Sequence, residues 1–252
     1  MYKLMKKISR LVLVSLVLMN SAWAAENESP TLRLAQADSY RLSERESKVV
    51  SLVSLYQNGE LDKTRKYNVY TRPNRESLVI FKAKVEAGQK MLMLGDNYWL
   101  LMPRSRRPIR ITPMQKLLGE ASIGDISTLT WSDDYQGTEL LSEEVKGQQT
   151  IKLELIAKTK GASYQKIELW LQSDDNFPVK ANLYLRSGKM AKQAWFTRGE
   201  REGKPAVTQM RLKDSIQPKK ETIIEYLQVV ELSLEDKFYN PSYLSRNSVS
   251  EL

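Results

Sequence analysis

The stretch Met91–Arg110, MLMLGDNYWLLMPRSRRPIR, decides the fold. Gly95-Asp96-Asn97 is a turn signal between two alternating runs, so each run reads as a strand with two distinct faces. Met91 and Met93 share one face and Leu92 and Leu94 the other; on the return strand Trp99 and Leu101 oppose Tyr98, Leu100 and Met102. Both faces are apolar. Such a hairpin must be covered twice, by core on one side and by a lid, a ligand or a partner on the other. A buried hairpin in an ordinary sandwich is the competing reading.

Working outward, the period of two recurs on either side. Lys48–Gln57 and Leu61–Thr71 flank Asn58-Gly59, a strong hairpin signal. Leu78–Phe81 forms the next strand. Strands are expected again at Thr138–Glu144, Gln149–Lys158, Gln165–Gln172, Phe177–Ser187, Lys189–Arg198, Pro205–Ser215 and Glu221–Glu231. The punctuation between them is short, which pairs neighbours antiparallel in a meander. Ile151, Leu153 and Leu155 face away from Lys152 and Glu154, and Ile167, Leu169 and Leu171 away from Lys166 and Glu168. The sheet therefore has one apolar face and one wet face. Two segments break the pattern. Ser29-Pro30 is an N-cap and N1 pair ahead of Leu32, Ala35, Ser39 and Leu42, which predicts an amphipathic helix over residues 30–42. Between about Thr112 and Asp134 no alternation survives, which predicts loop with one or two short helices.

A meander this wide must curl, and few helices are available to cover its apolar side. A bare face would expose more contiguous apolar surface than soluble monomers tolerate. Curling around a cavity closed by the N-terminal helix and the middle segment answers this. A dry core answers it equally well on pattern alone.

The N-terminus carries its own signal. Lys3, Lys6, Lys7 and Arg10 precede the apolar run Leu11–Met19, and Ala22-Trp23-Ala24 offers a small-x-small cleavage site. The run falls well short of the ~20 residues a spanning helix needs. A cleaved secretory signal over residues 1–24 is expected, followed by a single domain over 25–252 in a Gram-negative periplasm. The chain has no cysteine, so neither a lipid-modified cysteine nor a disulfide is available. The signal holds four of the 39 Lys+Arg and none of the 30 Asp+Glu, which leaves the remainder at +5. That mild excess permits contact with anionic lipid or an acidic partner and does not resemble a nucleic-acid binder.

Further motifs are ordered along the chain: Gly88-x-x-x-Leu92, Gly95-Asp96-Asn97-x-Trp99-Leu100-x-x-Pro103, Arg106-Arg107-x-Ile109-Arg110-Ile111, Leu118-Gly119 and Gly124-Asp125. Together they resemble the outer-membrane lipoprotein-sorting, or LolA-like, family, in particular its branch found beside inner-membrane transporters. Tyr164-x-Lys166-x-x-Leu169-Trp170, Pro178 and the ending Phe238-Tyr239-Asn240-Pro241-x-Tyr243-Leu244 extend the resemblance over nearly all of the chain after the signal. It implies a mainly β (α+β) fold, an unclosed antiparallel half-barrel with short helices covering its concave face. It also implies a periplasmic carrier, neither an enzyme nor a cofactor protein, that binds the acyl chains of a lipoprotein or other lipid in a hydrophobic cavity. Its partners would be an inner-membrane transporter and an outer-membrane acceptor. Burying an acyl chain is worth ~0.8 kcal/mol per methylene, so a sixteen-carbon chain resists leaving a membrane by roughly 12 kcal/mol. A carrier must match that apolarity, and methionines suit the lining because they repack around variable shapes.

On this reading Leu32, Met91, Met93, Trp99, Leu101, Met102, Leu117, Leu118, Ile123, Ile126 and Trp131 are candidate cavity or lid residues. Arg104, Arg106, Arg107 and Arg110 are candidates for holding an anionic headgroup or docking on a partner. Core packing explains the apolar set equally well, and a solvated loop explains the arginines. Catalytic readings are weak, because a chain without histidine or cysteine lacks the Ser-His-Asp and Cys-His arrangements and the usual zinc sites. Ser163-x-x-Lys166 and Ser173-Asp174-Asp175-Asn176 echo penicillin-binding signatures but lie together in one short run of strands and turns. Asp133-Asp134 and Asp174-Asp175 read as solvated turn carboxylates. The alternative function is an adaptor or envelope sensor that engages a membrane transporter without carrying lipid; hydrolysis comes last.

Overall fold

The computed structural model describes residues 28–252 apart from 44, 127–129, 215, 216, 218, 250 and 251. The signal expected over residues 1–24 lies outside the described residues. Helix α1 (Pro30–Ser39) leads into β1 (Ser47–Gln57), β2 (Glu60–Arg72), β3 (Glu76–Phe81), β4 (Lys90–Leu94), β5 (Asn97–Leu101) and β6 (Ile109–Ile111). A middle insert follows, with β7 (Lys116–Leu118), β8 (Ala121–Ser122), α2 (Ile123–Ile126) and α3 (Trp131–Asp134). The second run is β9 (Tyr135–Val145), β10 (Gln148–Ala157), β11 (Lys166–Gln172), β12 (Pro178–Tyr184), β13 (Met190–Arg201), β14 (Lys204–Asp214) and β15 (Lys220–Glu231). A short 3-10 turn (Asp236–Tyr239) and α4 (Pro241–Arg246) are the last regular elements.

Thirteen strands form one antiparallel sheet in the order β6-β5-β4-β3-β2-β1-β15-β14-β13-β12-β11-β10-β9. The two meanders are joined by β1 against β15, Val53 opposite Ile224. The sheet does not close, because β6 and β9 remain its edges. It curls because register shifts interrupt the ladders, for example between Val50 and Ser51, Lys152 and Leu153, and Thr197 and Arg198; an extra residue on one strand bends it and increases its twist. Asn58 (φ 54°) and Gly59 (φ 87°) both take the left-handed conformation that a tight two-residue hairpin demands. On the wet face Lys152, Trp170, Lys180, Trp195 and Arg211 stand side by side across β10–β14, cation alternating with indole. Lys180 lies 4.2 Å from the Trp170 ring centroid, so this line pins the register from the solvent side.

The opening hairpin is covered twice, as its composition requires. Leu92 pairs with Trp99 and Met93 with Tyr98. Met91, Met93 and Tyr98 therefore join the core of the concave face, while Leu92 and Leu101 join a second cluster on the convex face. The second cover is the chain's own C-terminal arm. Phe238, Tyr239, Leu244 and Val249 pack on Tyr70, Leu78 and Ile80. The Asn240 side chain caps α4 by accepting from the Ser242 and Tyr243 amides, with Pro241 in the first turn. Asn68 Nδ2 and the Tyr70 hydroxyl both donate to the backbone oxygen of Leu252 at 2.8 Å.

Three expectations need correction. The middle insert is not strand-free, because Lys116–Leu118 and Ala121–Ser122 form a small hairpin about Gly119 (φ 54°). The buried stripe of α1 is Arg33, Leu34, Ala37 and Asp38, not Leu32, Ala35, Ser39 and Leu42. Two charged residues disguised it; both are buried because both find partners. Finally, Asp134 is fully buried rather than solvated, held at 2.7 Å by Arg75.

Candidate functional site

One apolar cluster runs over the whole concave face, from Tyr98 and Met91 on one limb through Val53 and Ile224 at the centre to Leu169 and Leu153 on the other. Its cover comes from outside the sheet. Helix α1 contributes Leu34 and Ala37, and the insert contributes Ala121, Ile123, Ile126 and Trp131. Because β6 and β9 are the edge strands, the insert between them connects the two rims of the open sheet and folds inward over the middle.

Polar contacts fasten this cover. Asp38, near the end of α1, accepts from the Trp131 amide at 3.0 Å and from the amide and hydroxyl of Ser132 at 2.9 Å, which caps α3. Arg41 pairs with Asp38 at 3.1 Å and lies 3.8 Å above the Trp131 ring. The same indole meets Phe196 edge to face, with ring centroids 5.6 Å apart. Burial pushes the Asp38 carboxyl up from its ordinary value, against the pull of Arg41 and the Ser132 and Trp131 bonds. Burial likewise raises Asp134, opposed chiefly by Arg75.

The second fastening lies deeper. Lys192 of β13 and Asp125 of α2 form an ion pair at 2.8 Å, with side chains 2% and 3% exposed. Lys192 also donates to the Glu120 carbonyl. Asp125 accepts from the Ser122 amide and hydroxyl and from the Tyr164 hydroxyl, all at 2.7 Å. Burial alone would raise Asp125, but Lys192 and the Ser122 bonds outweigh it and hold the carboxyl below its ordinary value. Gly124 lets this turn seat, since a Cβ there would come within 1.9 Å of Ser163 Oγ. The Glu120 amide donates to Thr222 Oγ1 at 2.8 Å, tying the insert to β15.

Two spaces adjoin the cover among the described residues. A space of about 40 Å³ lies between Trp131, Tyr164, Ile167, Leu183 and Met210. A second, of about 200 Å³, lies on the far side of the insert against Lys192, Met190 and Leu185. A polar-rimmed cleft of about 410 Å³ opens at the end of α1, between Asp38, Arg45, Arg72 and Asp133. Another, of about 400 Å³, separates the C-terminal arm from the start of β4.

The candidate residues divide accordingly. Met91 and Met93 lie in the concave core, and Ile123, Ile126 and Trp131 form the underside of the cover. Leu117 and Leu118 are half-buried against the same cluster. Trp99 and Leu101 pack on the convex face under the arm, and Met102 lines the cleft beside it. Leu32 is 60% exposed. These four lie outside the concave face. Arg104, Arg106, Arg107 and Arg110 are all exposed at the β5–β6 edge, and among the described residues none pairs with an acid. Arg110 donates to Asn97 Oδ1 at 2.6 Å and lies 4.7 Å from the Trp99 ring. The fastenings Asp38, Asp125 and Lys192 were not among the candidates. Asp125 stood in the Gly124-Asp125 motif without a role; for Asp38 and Lys192 the one sequence signal is an ionisable residue sharing a face with apolar ones, and the mixed pattern Met190–Phe196 hides even that.

This architecture has known counterparts. A family model described as that of an uncharacterized protein matches residues 73–246. A LolA superfamily protein from Nitrosomonas europaea, NE2245, superposes with a TM-score of 0.79 at 25% identity, covering 86% of this chain and 100% of that one. The chain belongs to the LolA-like family. Two further structures share the LolA-like fold at 22% identity. One is a putative outer membrane lipoprotein-sorting protein domain from Vibrio parahaemolyticus (TM-score 0.67, 84% of this chain, 97% of that one). The other is a DUF1329 family protein from Desulfovibrio piger (TM-score 0.69, 85% and 95%). No curated protein matches by sequence. Among the described residues of this LolA-like chain, no helix is long and apolar enough to cross a membrane.

Proposed function

We propose that the chain is a periplasmic carrier that binds the acyl chains of a lipoprotein or other lipid against its concave face. It would receive them beside an inner-membrane transporter and release them toward the outer membrane. The observation that carries this reading is the single apolar surface spanning the sheet, covered by α1 and an insert that contribute no strand to it. Elements outside a hydrogen-bonded ladder can leave as units. Residues 1–24 would be the cleaved export signal and 25–252 the carrier domain. The exposed arginines at the β5–β6 edge suit an acidic docking surface. An acyl chain entering the space of about 40 Å³ beneath the insert would displace the insert, because that space has room for little more than one water molecule.

The test is mass spectrometry of an organic extract of the protein purified from its own cells, followed by transfer of labelled lipid between donor and acceptor vesicles. A co-purifying amphiphile and accelerated transfer are expected; an empty extract together with no uptake overturns the proposal. The small residual space favours a second reading, an adaptor that engages a transporter with its cover shut. That reading expects a stable pull-down of the membrane protein without lipid transfer.

A further inference from the structure

Among the described residues, the one lysine in the set of large, most fully buried side chains, Lys192, stands on the very face that a carrier would have to expose. Its backbone is fixed in the sheet, opposite Leu183 on β12 and Asp214 on β14. Both oxygens it bonds, the Glu120 carbonyl and Asp125 Oδ2, belong to the insert. The ion pair lies at the boundary between the space of about 40 Å³, which Asp125 lines, and that of about 200 Å³, which Lys192 lines. Lifting the insert would merge the two and carry both oxygens away. The ammonium would then face Leu183, Ala194, the Tyr164 ring and Asp214 with Asp125 gone, and once an apolar chain rather than water fills that space, a charge left unpaired there is strongly destabilising.

We propose that an incoming amphiphile bearing a carboxylate or phosphate head replaces Asp125 as the counter-ion of Lys192. The cargo class is thus an anionic single-headed lipid rather than a neutral one. This rests on the carrier reading and deepens it. The exchange needs no covalent step: one anion leaves with the insert and another arrives with the chain that fills the space. It also makes loading selective. A neutral amphiphile gains the apolar surface but strands the lysine, whereas an anionic one gains both. Two other acids face the same space. Glu120 is engaged by Lys116 at 2.8 Å. Asp214 stands opposite Lys192 on β14, and if it took over the ammonium the selectivity would vanish.

The experiment measures binding of matched probes to the full-length purified protein: palmitate against methyl palmitate, and dodecyl phosphate against dodecyl maltoside below micelle formation. The first pair reports a fatty-acid carboxylate and the second a phospholipid-type phosphate. Replacing the lost ion pair by a charged hydrogen bond should favour at least one anion over its neutral partner by about tenfold. Lys192→Met should abolish that preference. Because it strands Asp125, the double variant Lys192→Met/Asp125→Asn, checked for folding by its thermal transition, is measured beside it. It should bind neutral probes at least as well as the wild type does, and anions no better. Equal binding of charged and neutral probes by the wild type overturns the proposal and leaves the carrier reading standing. A preference that survives in the double variant also overturns it, by placing the anion elsewhere. No uptake of any probe overturns both.

Discussion

Asp125 and Asp38 are both buried carboxylates that fasten the cover, yet their proton affinities move in opposite directions. Asp125 is held below its ordinary value of 3.8 because Lys192 and Ser122 outweigh burial. Its contribution to stability is therefore complete above pH 3.8 and is lost as pH falls through the lower folded value. Urea unfolding over an acid series should show a wild-type advantage over Asp125→Asn that is constant above that pH and shrinks below it. Asp38 is raised by burial, so its ionised form is disfavoured by folding and acidification relieves it. Its hydrogen bonds still matter at neutral pH. Asp38→Ala should cost about 2 kcal/mol, the worth of bonds to a charged acceptor, and speed amide exchange at Trp131 and Ser132. Two motif residues prove to act as supports. Gly88 has no room for a Cβ, which would lie 2.9 Å from Pro103, and Tyr164 donates to Asp125.

At the scale of elements, strands were the readable part. The run Ile151, Leu153, Leu155 alternates cleanly, and β10 lies within a residue of its expected bounds. The insert was only half legible, because a strand of two or three residues is too short to show a period. The face of α1 was misread because a stripe containing Arg33 and Asp38 does not look apolar; Arg33 is buried by bonding Asn176 at 2.9 Å. The pairing of β1 with β15 leaves no local trace at all, since the strands are far apart in sequence. Gly119→Ala tests how the insert is seated. Its φ of 54° disfavours a side chain, and a Cβ would come within 2.3 Å of Thr222 Oγ1. A destabilisation of about 1–3 kcal/mol is expected, with faster lipid uptake as the insert loosens. The β5–β6 edge has its own test. Replacing Arg104, Arg106, Arg107 and Arg110 with glutamine should weaken flotation with anionic vesicles by about 1 kcal/mol per residue and flatten its salt dependence.

At the scale of the whole molecule, a continuous ladder holds the sheet, while its cover is held by side-chain contacts and isolated backbone bonds, Val207 N–H to the Tyr40 carbonyl and Lys158 N–H to the Asp134 carbonyl. Hydrogen exchange should reveal that hierarchy, with amides of α2 and α3 opening well before those of β10–β15. Uniform protection would mean that the cover and sheet open together. The central position of β1 has a further consequence for assembly. Its partner on one side, β2, follows at once, but its partner on the other, β15, ends at Glu231. A chain emerging amino end first can zip β1 to β6 early and must then wait, with a long bare ribbon margin, until almost everything else has arrived. Such a margin invites mispairing with neighbouring nascent chains. Biogenesis, more than the finished shape, is where this topology is most vulnerable.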